Sequence, residues 1–364
     1  MNLRIKYYLN FAEDQRVSMN IYANNLINYH KNNCKSFSID FYKPTMSVFS
    51  KILYNEKWKM RYARYISYPY QVKKIKTHDI AHVCDQQYAH LVDFLRSKIK
   101  IITVHDIVPI IFKNELKKNP FLFKQSLKKL KYYNKVLTVS HSTKNDIIKY
   151  TDCPEDKIEV VMESVENFFN SNNIDKKSIC SKYNIPYHCK KILITGNIFY
   201  KNNKLAFSVL EELVKYDKNI VFIHIGSGKN KDHLSKSIDK HIIVMPFIKR
   251  TELPEIYKIC DLLFYPSIYE GFGLPLLEGM SCGLPVVCSN NSSIPEIVGD
   301  AALISDSNNL NKFLKDILDI LKNKKLHQEL VDKSLTRSKL FNENKIMSNI
   351  TNIYLTEFTK KMKS

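Results

Sequence analysis

Two carboxylates flank a glycine-rich turn in the second half of the sequence. Glu270 stands directly before residues 271–274, and Glu278 follows them in the segment EGFGLPLLEGMSC. Glycine lets a ligand approach the backbone closely, and this chain of 364 residues has only eight glycines, none of them before Gly196. Carboxylates accept hydrogen bonds from hydroxyl groups. The residue types therefore predict a pocket for an oxygen-rich ligand such as a sugar or a ribose diol.

The turn is expected between a strand and a helix. The run DLLFYPS predicts a buried strand, and Pro275 suits the first turn of a following helix. Ligands of open α/β sheets bind beyond the carboxyl ends of the strands, and a helix N-terminus attracts anions. The amides expected to face such a ligand are those of Gly271, Phe272, Gly273 and Leu274. The alternative is that the glycines serve tight packing and that Glu278 is a solvated helix residue.

Short β-rich runs alternate with helical stretches in two successive series. The first series is LRIKYYL, SFSIDFY, DIAHVC, KIITVH, KVLTVS and KIEVVM; the second is KKILIT, NIVFIHI, HIIVMP, DLLFYP, LPVVCS and AALI. A polar segment, FFNSNNIDKKS, separates them. Two such series predict an α/β protein with two doubly wound parallel sheets. We place the two domains at residues 1–170 and 171–340.

A second candidate group lies in the first domain. His105 and Asp106 follow the strand pattern KIITV, so they are also expected at the carboxyl end of a strand. A lone His-Asp pair is more often structural than catalytic. No two aspartates stand in a D-x-D spacing, so the sequence does not predict a metal ion at this site.

The composition bears on location and cofactors. The sequence has no apolar run of about 18 residues that could span a bilayer, and its start lacks the features of a signal peptide. Its eight cysteines show neither a CxxC pair nor a metal-ligand spacing, which is typical of reduced thiols in the cytoplasm. We therefore expect a cytoplasmic protein without a zinc site or a disulfide framework.

The formal net charge of +20 raises the question of an anionic partner. The lysines are widely scattered, but residues 120–135, PFLFKQSLKKLKYYNK, place Phe123, Leu127 and Leu130 at helical spacing with lysines between them. A basic amphipathic helix can lie on anionic lipid, whereas the favoured alternative is an ordinary helix that packs this stripe on the core. The sequence shows no aromatic-basic motif that predicts a specific nucleic-acid partner.

The chain resembles a known family from about residue 79 to residue 304. The segment PSIYEGFGLPLLEGMSCGLPVVCSNNSSIPEIVGDAALI is similar to the donor-site signature of the retaining glycosyltransferases of family 4. Further similar segments are IITVHDIVPIIF, VLTVSHSTKNDIIKY, KILITGNIFYKNN and IIVMPFIKRTELPEIYKICDLLFYPS. The resemblance implies the GT-B fold, in which a Rossmann-like acceptor domain faces a Rossmann-like nucleotide-sugar domain across a cleft. It also implies that a last helix, residues 341–364, packs back on the first domain.

The resemblance assigns roles to several residues. Glu270 matches the carboxylate that holds the hydroxyls of the donor sugar, and Glu278 the one that binds the nucleotide ribose. His105 matches a histidine near the donor sugar, with Asp106 on the acceptor side. Gly196 and Ile248 fall in donor-binding segments.

The chain departs from the family pattern at the phosphate site. An Arg-Lys pair is usual after the first strand of the donor domain, and here GNIFYKNNK has Lys201 and Asn202 at those positions. We expect Lys201 to be the phosphate cation, with Lys204 as the alternative. The glycine-rich N-terminal loop of many members is replaced by AEDQRVSMNIYA. A weakly active or inactive member is therefore an alternative.

Together these observations predict a metal-independent, retaining glycosyltransferase of polysaccharide biosynthesis. It would use a nucleotide sugar as co-substrate, no other cofactor, and a glycan or lipid-linked acceptor. A peripheral position on the inner face of a membrane is an option, and a specific nucleic acid is not expected. The rival hypotheses are a sugar-nucleotide epimerase or hydrolase on the same scaffold, and a basic nucleic-acid binder.

Overall fold

The computed structural model describes residues 2–49, 54–117, 119–226, 236–245 and 248–363. The chain forms two compact units, one of Met1–Glu163 with Asn344–Ser364 and one of Ser164–Glu343. From the sequence, the two boundaries are placed after residues 170 and 340, whereas the units divide after residues 163 and 343. The C-terminal helix thus belongs to the first unit.

Each unit is built on a six-stranded parallel sheet. The strands of the first sheet are β1 Leu3–Tyr8, β2 Phe37–Tyr42, β3 Ile80–Val83, β4 Ile99–Val104, β5 Lys135–Thr138 and β6 Ile158–Val160, in the order β2-β1-β3-β4-β5-β6. Those of the second are β7 Lys190–Thr195, β8 Ile220–Ile225, β9 Ile242–Met245, β10 Leu262–Tyr265, β11 Val286–Ser289 and β12 Ala302–Ser305, in the order β12-β11-β10-β7-β8-β9. All twelve lie within the predicted runs or one residue beyond them, and the predicted α/β class is confirmed.

Helices connect the strands of both sheets. In chain order they are α1 Val17–Asn33, α2 Glu56–Tyr62, α3 Tyr68–Lys73, α4 Val108–Ile111, α5 Phe121–Leu127, α6 His141–Tyr150, α7 Lys176–Lys182, α8 Asn203–Tyr216, α9 Lys236–Asp239, α10 Leu253–Ile259, α11 Leu274–Ser281, α12 Ile294–Val298, α13 Leu310–Lys322, α14 Lys324–Ser338 and α15 Glu343–Lys363. Five of them begin after a side chain that accepts hydrogen bonds from first-turn amides; these caps are Asn55, Ser140, Asp175, Asn309 and Asn323.

The lysine-rich segment 120–135 packs its apolar side chains into the core of the first unit, to which it belongs. Helix α5 covers only Phe121–Leu127, and the side chains of Phe123, Leu127 and Leu130 are buried in the hydrophobic core. The apolar stripe that could have contacted lipid is therefore occupied by the core, as expected for an ordinary amphipathic helix.

Buried polar side chains fasten helix α15 to the rest of the first unit. The Tyr354 hydroxyl lies 2.5 Å from His82 Nδ1 and 3.3 Å from the hydroxyl of Tyr7. His30 Nδ1 lies 3.1 Å from that Tyr7 hydroxyl, and His30 Nε2 lies 3.1 Å from Thr351 Oγ1. Burial lowers the pKa of His82 to about 3 and that of His30 to about 4. Both imidazoles are therefore neutral in the folded unit.

These two histidines predict a loss of stability in acid. Between the ordinary histidine pKa of about 6.5 and the lowered folded values, the unfolded chain binds protons that the folded chain does not. The free energy of unfolding should therefore fall as pH drops from 7 to 5, by about 2 kcal/mol for each of the two groups. Denaturant unfolding of the first unit at several pH values measures the slope.

A matched pair of variants isolates the histidine contribution. His82→Asn should be less stable than the parent at pH 7, and the difference should narrow in acid because one proton-linked group is gone. Asn32→Gln, at an exposed residue of the same unit that does not titrate, should keep the parental slope. If the curve of His82→Asn runs parallel to that of the parent, burial of a neutral His82 is not the source of the pH dependence.

Candidate functional site

The glycine-rich turn lies at the carboxyl end of β10, directly before α11. Gly273 has φ +115°, a conformation that L side chains rarely adopt, so a glycine is needed here. The buried Ser293 hydroxyl contacts two carbonyls of the turn, those of Glu270 at 3.1 Å and Phe272 at 2.6 Å. The Phe272 ring is itself buried, 6.0 Å from the ring of Phe341. The turn is thus fixed, and Phe272 can offer a ligand only its backbone.

Glu270 and Lys201 form an ion pair beside this turn. Lys201 Nζ lies 2.7 Å from Glu270 Oε1 and 2.7 Å from the hydroxyl of Tyr265, the last residue of β10. Both charged side chains are nearly buried, at 13% and 10% exposure. Burial, followed by the charge of Glu270, raises the pKa of Tyr265 well above its ordinary value, so its hydroxyl stays protonated. Within the part of the chain that the structure describes, no acceptor engages the third N–H of the ammonium.

Gly196 makes room for this lysine. It has φ +81°, and a Cβ atom there would lie 3.1 Å from Cε of Lys201. The Gly196 carbonyl accepts hydrogen bonds from Asn203 Nδ2 at 2.8 Å and from the imidazole of His224 at 2.9 Å. Gly196, Lys201 and Glu270, three of the predicted site residues, therefore meet at the carboxyl ends of the neighbouring strands β7 and β10.

Asn202 makes contacts of another kind. Its backbone has φ +57°, and its side-chain amide donates to the carbonyls of Pro266 at 3.2 Å and Ser307 at 3.0 Å. These bonds connect the start of α8 to the strand ends around it. Lys204, the alternative phosphate cation, lies on α8 and is exposed.

Glu278 belongs to a second charged cluster in the same unit. Its two carboxylate oxygens accept from Arg250 Nη1 at 2.8 Å and from the Tyr257 hydroxyl at 2.6 Å. Arg250 also holds Glu166 through two bonds, of 2.6 and 2.7 Å, and lies 5.0 Å above the ring of Phe169. Burial alone would lower the pKa of Arg250, but the two carboxylates raise it above its ordinary value. A carboxylate has about four lone-pair sites, so Glu278 retains capacity to accept from a ligand.

Ile248, the other predicted donor-binding residue, is buried shortly before Arg250. Pro246 and Phe247 of the same segment lie outside the described residues.

In the first unit, each ring nitrogen of His105 faces a hydrogen-bond acceptor. Nδ1 lies 2.8 Å from Glu163 Oε1, and Nε2 lies 3.1 Å from the carbonyl of Cys84. Burial lowers the pKa of His105, but Glu163 outweighs it and the net shift is upward. Both ring nitrogens donate only in the imidazolium form. His105 therefore provides positive charge at this edge and does not offer a basic nitrogen.

Asp106 lies next to a buried set of charges. Burial raises its pKa, and the charge of Arg16 opposes this. Arg16 Nη1 also lies 3.6 Å from the fully buried carboxylate of Asp85, which accepts from Asn10 at 2.8 Å. The loop that replaces the family's glycine-rich segment thus brings a cation toward the strand ends.

Sequence reasoning missed several partners of the predicted residues. They are Tyr265, Arg250, Tyr257 and Glu166 in the second unit, and Glu163, Asp85 and Arg16 in the first. One signal was present: Asp85, His105 and Glu163 each follow a strand of the same parallel sheet within three residues. Polar residues that follow parallel strands share one edge of the sheet, so these three could have been grouped.

The structure shows neither a metal cluster nor a membrane span in its described residues. No group of three His, Cys, Asp or Glu side chains there could hold a metal ion. Nor is any described helix long and apolar enough to cross a bilayer.

Solved structures share this architecture over nearly the whole chain. Sucrose-phosphate synthase from Thermosynechococcus elongatus superposes with a TM-score of 0.76 at 13% identity, covering 98% of this chain and 100% of that one. Anabaena HepE, in complex with UDP and glucose, gives a TM-score of 0.74 at 12% identity, covering 97% and 100%. These likenesses confirm the GT-B fold.

Sequence comparison finds a family match in the second unit. Residues 175–336, most of that unit, match the model of the family described as Glycosyl transferases group 1. Among curated relatives, the O-antigen chain mannosyltransferase B of Escherichia coli is 28% identical over 228 residues, which is 60% of each chain. The chain thus spans less than two thirds of the length of this relative.

Proposed function

We propose that this protein transfers a sugar from a nucleoside diphosphate donor to a hydroxyl group of a glycan or lipid-linked acceptor, with retention of anomeric configuration and without a metal ion. The observation that carries the proposal is the Glu270–Lys201 ion pair beside the start of α11, within the family-matched residues. A carboxylate and an ammonium at one strand edge suit a ligand that has both hydroxyls and phosphates. The free cysteines are typical of a reducing compartment such as the cytoplasm, where we place the reaction.

In this proposal the two glutamates bind different parts of the donor. Glu270 accepts hydrogen bonds from the sugar hydroxyls, while Lys201 donates its third N–H to the diphosphate. The backbone at residues 271–274 adds the partial positive charge of a helix N-terminus. Glu278 accepts from the ribose, and Arg250 and Tyr257 hold its carboxylate in place.

The transfer step proceeds by front-face attack. The acceptor oxygen forms a bond to the anomeric carbon on the side from which the phosphate departs. The bond between that carbon and the phosphate oxygen breaks, and the phosphate oxygen takes the acceptor proton. Lys201 stabilises the negative charge that develops on the phosphate, as preorganised cations do in other transfer sites.

The first unit would supply the acceptor side. Asp106, whose pKa is raised by burial, accepts a hydrogen bond from the incoming hydroxyl. The imidazolium of His105 adds positive charge beside Asp106 and remains fixed by Glu163. Neither residue needs to lose a proton in this scheme.

The comparisons suggest which donors to test first. One relative is named a mannosyltransferase, and HepE was solved with UDP and glucose. The decisive experiment incubates the protein with guanosine and uridine diphosphate sugars, with and without glycan or lipid-linked acceptors, and determines the anomeric configuration of the product by NMR. Retention supports the proposal and inversion overturns it. Turnover of the donor without any acceptor would instead indicate an epimerase or a hydrolase.

Lys201 and Lys204 offer a matched comparison for the phosphate role. Lys201→Ala should weaken nucleoside diphosphate binding at least tenfold, because burying a diphosphate is costly unless a cation replaces its lost water. Lys204→Ala should change the affinity little, since Lys204 is exposed. Calorimetry with the diphosphate alone measures both. Equal affinities for the parent and Lys201→Ala would remove Lys201 from the phosphate site.

A further inference from the structure

One helical segment of the first unit turns aromatic and apolar side chains to solvent. Helix α2, a π-helical turn at Ala63–Ser67 and helix α3 follow one another without a break. Trp58, Ile66 and Tyr70 on this segment are 60%, 58% and 62% exposed. Phe49 and Tyr54, which precede it, are also exposed. Large apolar side chains gathered on one exposed segment often mark an interaction site.

The π-helical turn helps to keep these side chains on one stripe. Trp58, Tyr62, Ile66 and Tyr70 are spaced four residues apart. A four-residue step overshoots an α-helical turn of about 3.6 residues, and the wider π turn takes up part of that drift. The opposite side of the segment packs into the unit through Ala63, Ser67, Tyr68, Pro69 and Val72, all buried.

Cations accompany the exposed rings. The Arg61 guanidinium lies 5.2 Å from the centre of the Trp58 ring, and Lys74 Nζ lies 4.3 Å from that of Tyr70. Lys57 is exposed on the first turn of α2. Within the described ranges, no carboxylate forms an ion pair with Lys57, Arg61 or Lys74, so their charges are not neutralised.

We propose that this aromatic-basic surface docks the protein on an anionic lipid bilayer; the surface is defined by Phe49, Tyr54, Lys57, Trp58, Arg61, Ile66, Tyr70 and Lys74. Tryptophan and tyrosine favour the boundary between lipid and water. Lysine and arginine beside them are attracted to anionic headgroups. The combination of an apolar stripe with unpaired cations fits this boundary.

Two other kinds of partner fit the surface less well. Single-stranded nucleic acid is bound by aromatic rings and cations together, but this stripe also exposes Ile66, an aliphatic side chain that offers a base no ring to stack on. Interfaces between proteins are depleted in lysine, whereas Lys57 and Lys74 belong to this surface. The bilayer is therefore the partner that the chemistry favours.

The surface lies near the edge that carries the proposed acceptor residues. Its first residues follow the carboxyl end of β2, and His105 follows that of β4 in the same parallel sheet. Arg64 of the π turn pairs with Asp14 in the loop after β1. Docking through this surface would bring that edge to the membrane, which deepens the proposed function by favouring a lipid-linked acceptor.

The single tryptophan of the chain makes the surface directly observable. The full-length protein is mixed with vesicles of phosphatidylglycerol and phosphatidylcholine, or of phosphatidylcholine alone, with neither donor nor acceptor present. We expect co-sedimentation with the anionic vesicles, a blue shift of Trp58 emission, and release as salt rises. Because no transfer is measured, a failure of this test leaves the proposed transferase reaction standing, and a failure of transfer leaves docking standing.

Charge variants identify which surface binds. The double variant Lys57→Gln, Arg61→Gln should weaken vesicle binding about 25-fold, from about fivefold for each surface cation. The control Lys215→Gln, Lys322→Gln removes two lysines near Tyr216, an exposed tyrosine of the second unit, and should bind as the parent does. Unchanged vesicle binding in the first variant overturns the proposal. So does a Trp58 shift that appears only with an oligonucleotide, or only as the protein forms dimers.

Discussion

Replacing Glu270 with alanine is expected to lower kcat for transfer at least tenfold, which corresponds to about 1.4 kcal/mol or more of lost transition-state stabilisation. The variant loses the acceptor for the donor hydroxyls and leaves Lys201 without its carboxylate. The freed ammonium can then turn fully to the phosphates. Affinity for the nucleoside diphosphate alone should therefore stay the same or increase while turnover falls.

Two further variants separate charge from shape at this position. Glu270→Gln keeps the length of the side chain but loses the charge that pairs with Lys201, so its kcat should lie between those of the parent and Glu270→Ala. The double variant of Glu270 and Lys201 should show non-additive losses, since the two residues are in contact. Parental turnover in Glu270→Ala would exclude this carboxylate from the donor site.

The strands could be predicted because both sheets are parallel. Strands of a parallel sheet are buried on both faces and read as nearly continuous apolar runs, as in KKILIT and DLLFYP. The packing partners of the helices were harder to predict, since an apolar stripe such as that of Phe123 and Leu127 does not show which surface will cover it. The structure places that stripe in the core.

The positions of the site residues were predicted better than their partners. Lys201 and Glu270 each follow a strand, β7 or β10, and these strands are neighbours, so their meeting follows from topology. Arg250 comes between strands, and the sequence does not show that its guanidinium reaches Glu278. The aromatic-basic surface was missed for a different reason. Its four-residue spacing departs from ordinary helical periodicity, and only the π turn at Ala63–Ser67 shows that it forms a stripe.

Arg250 is expected to have the largest effect on the stability of the second unit. Its guanidinium pairs with both Glu166 and Glu278, and its side chain is 23% exposed. Removing one partner of a fully buried ion pair costs about 3–5 kcal/mol. Because this site is partly exposed, we expect Arg250→Gln to lower the free energy of unfolding by about 2 kcal/mol, a value reduced for solvent screening. Denaturant unfolding of the second unit measures this.

The same variant should also weaken nucleoside diphosphate binding, because two carboxylates that have lost their shared cation repel an anionic ligand. Arg250→Lys keeps the charge but cannot hold Glu166 through two parallel bonds, so it should recover part of the affinity and less of the stability. Arg337→Gln is the matched control, since Arg337 in the same unit donates to the backbone carbonyls of Glu296 and Ile297. If Arg337→Gln lowers the affinity as much as Arg250→Gln does, or if Arg250→Gln binds the diphosphate as the parent does, then Arg250 does not position Glu278 for the donor.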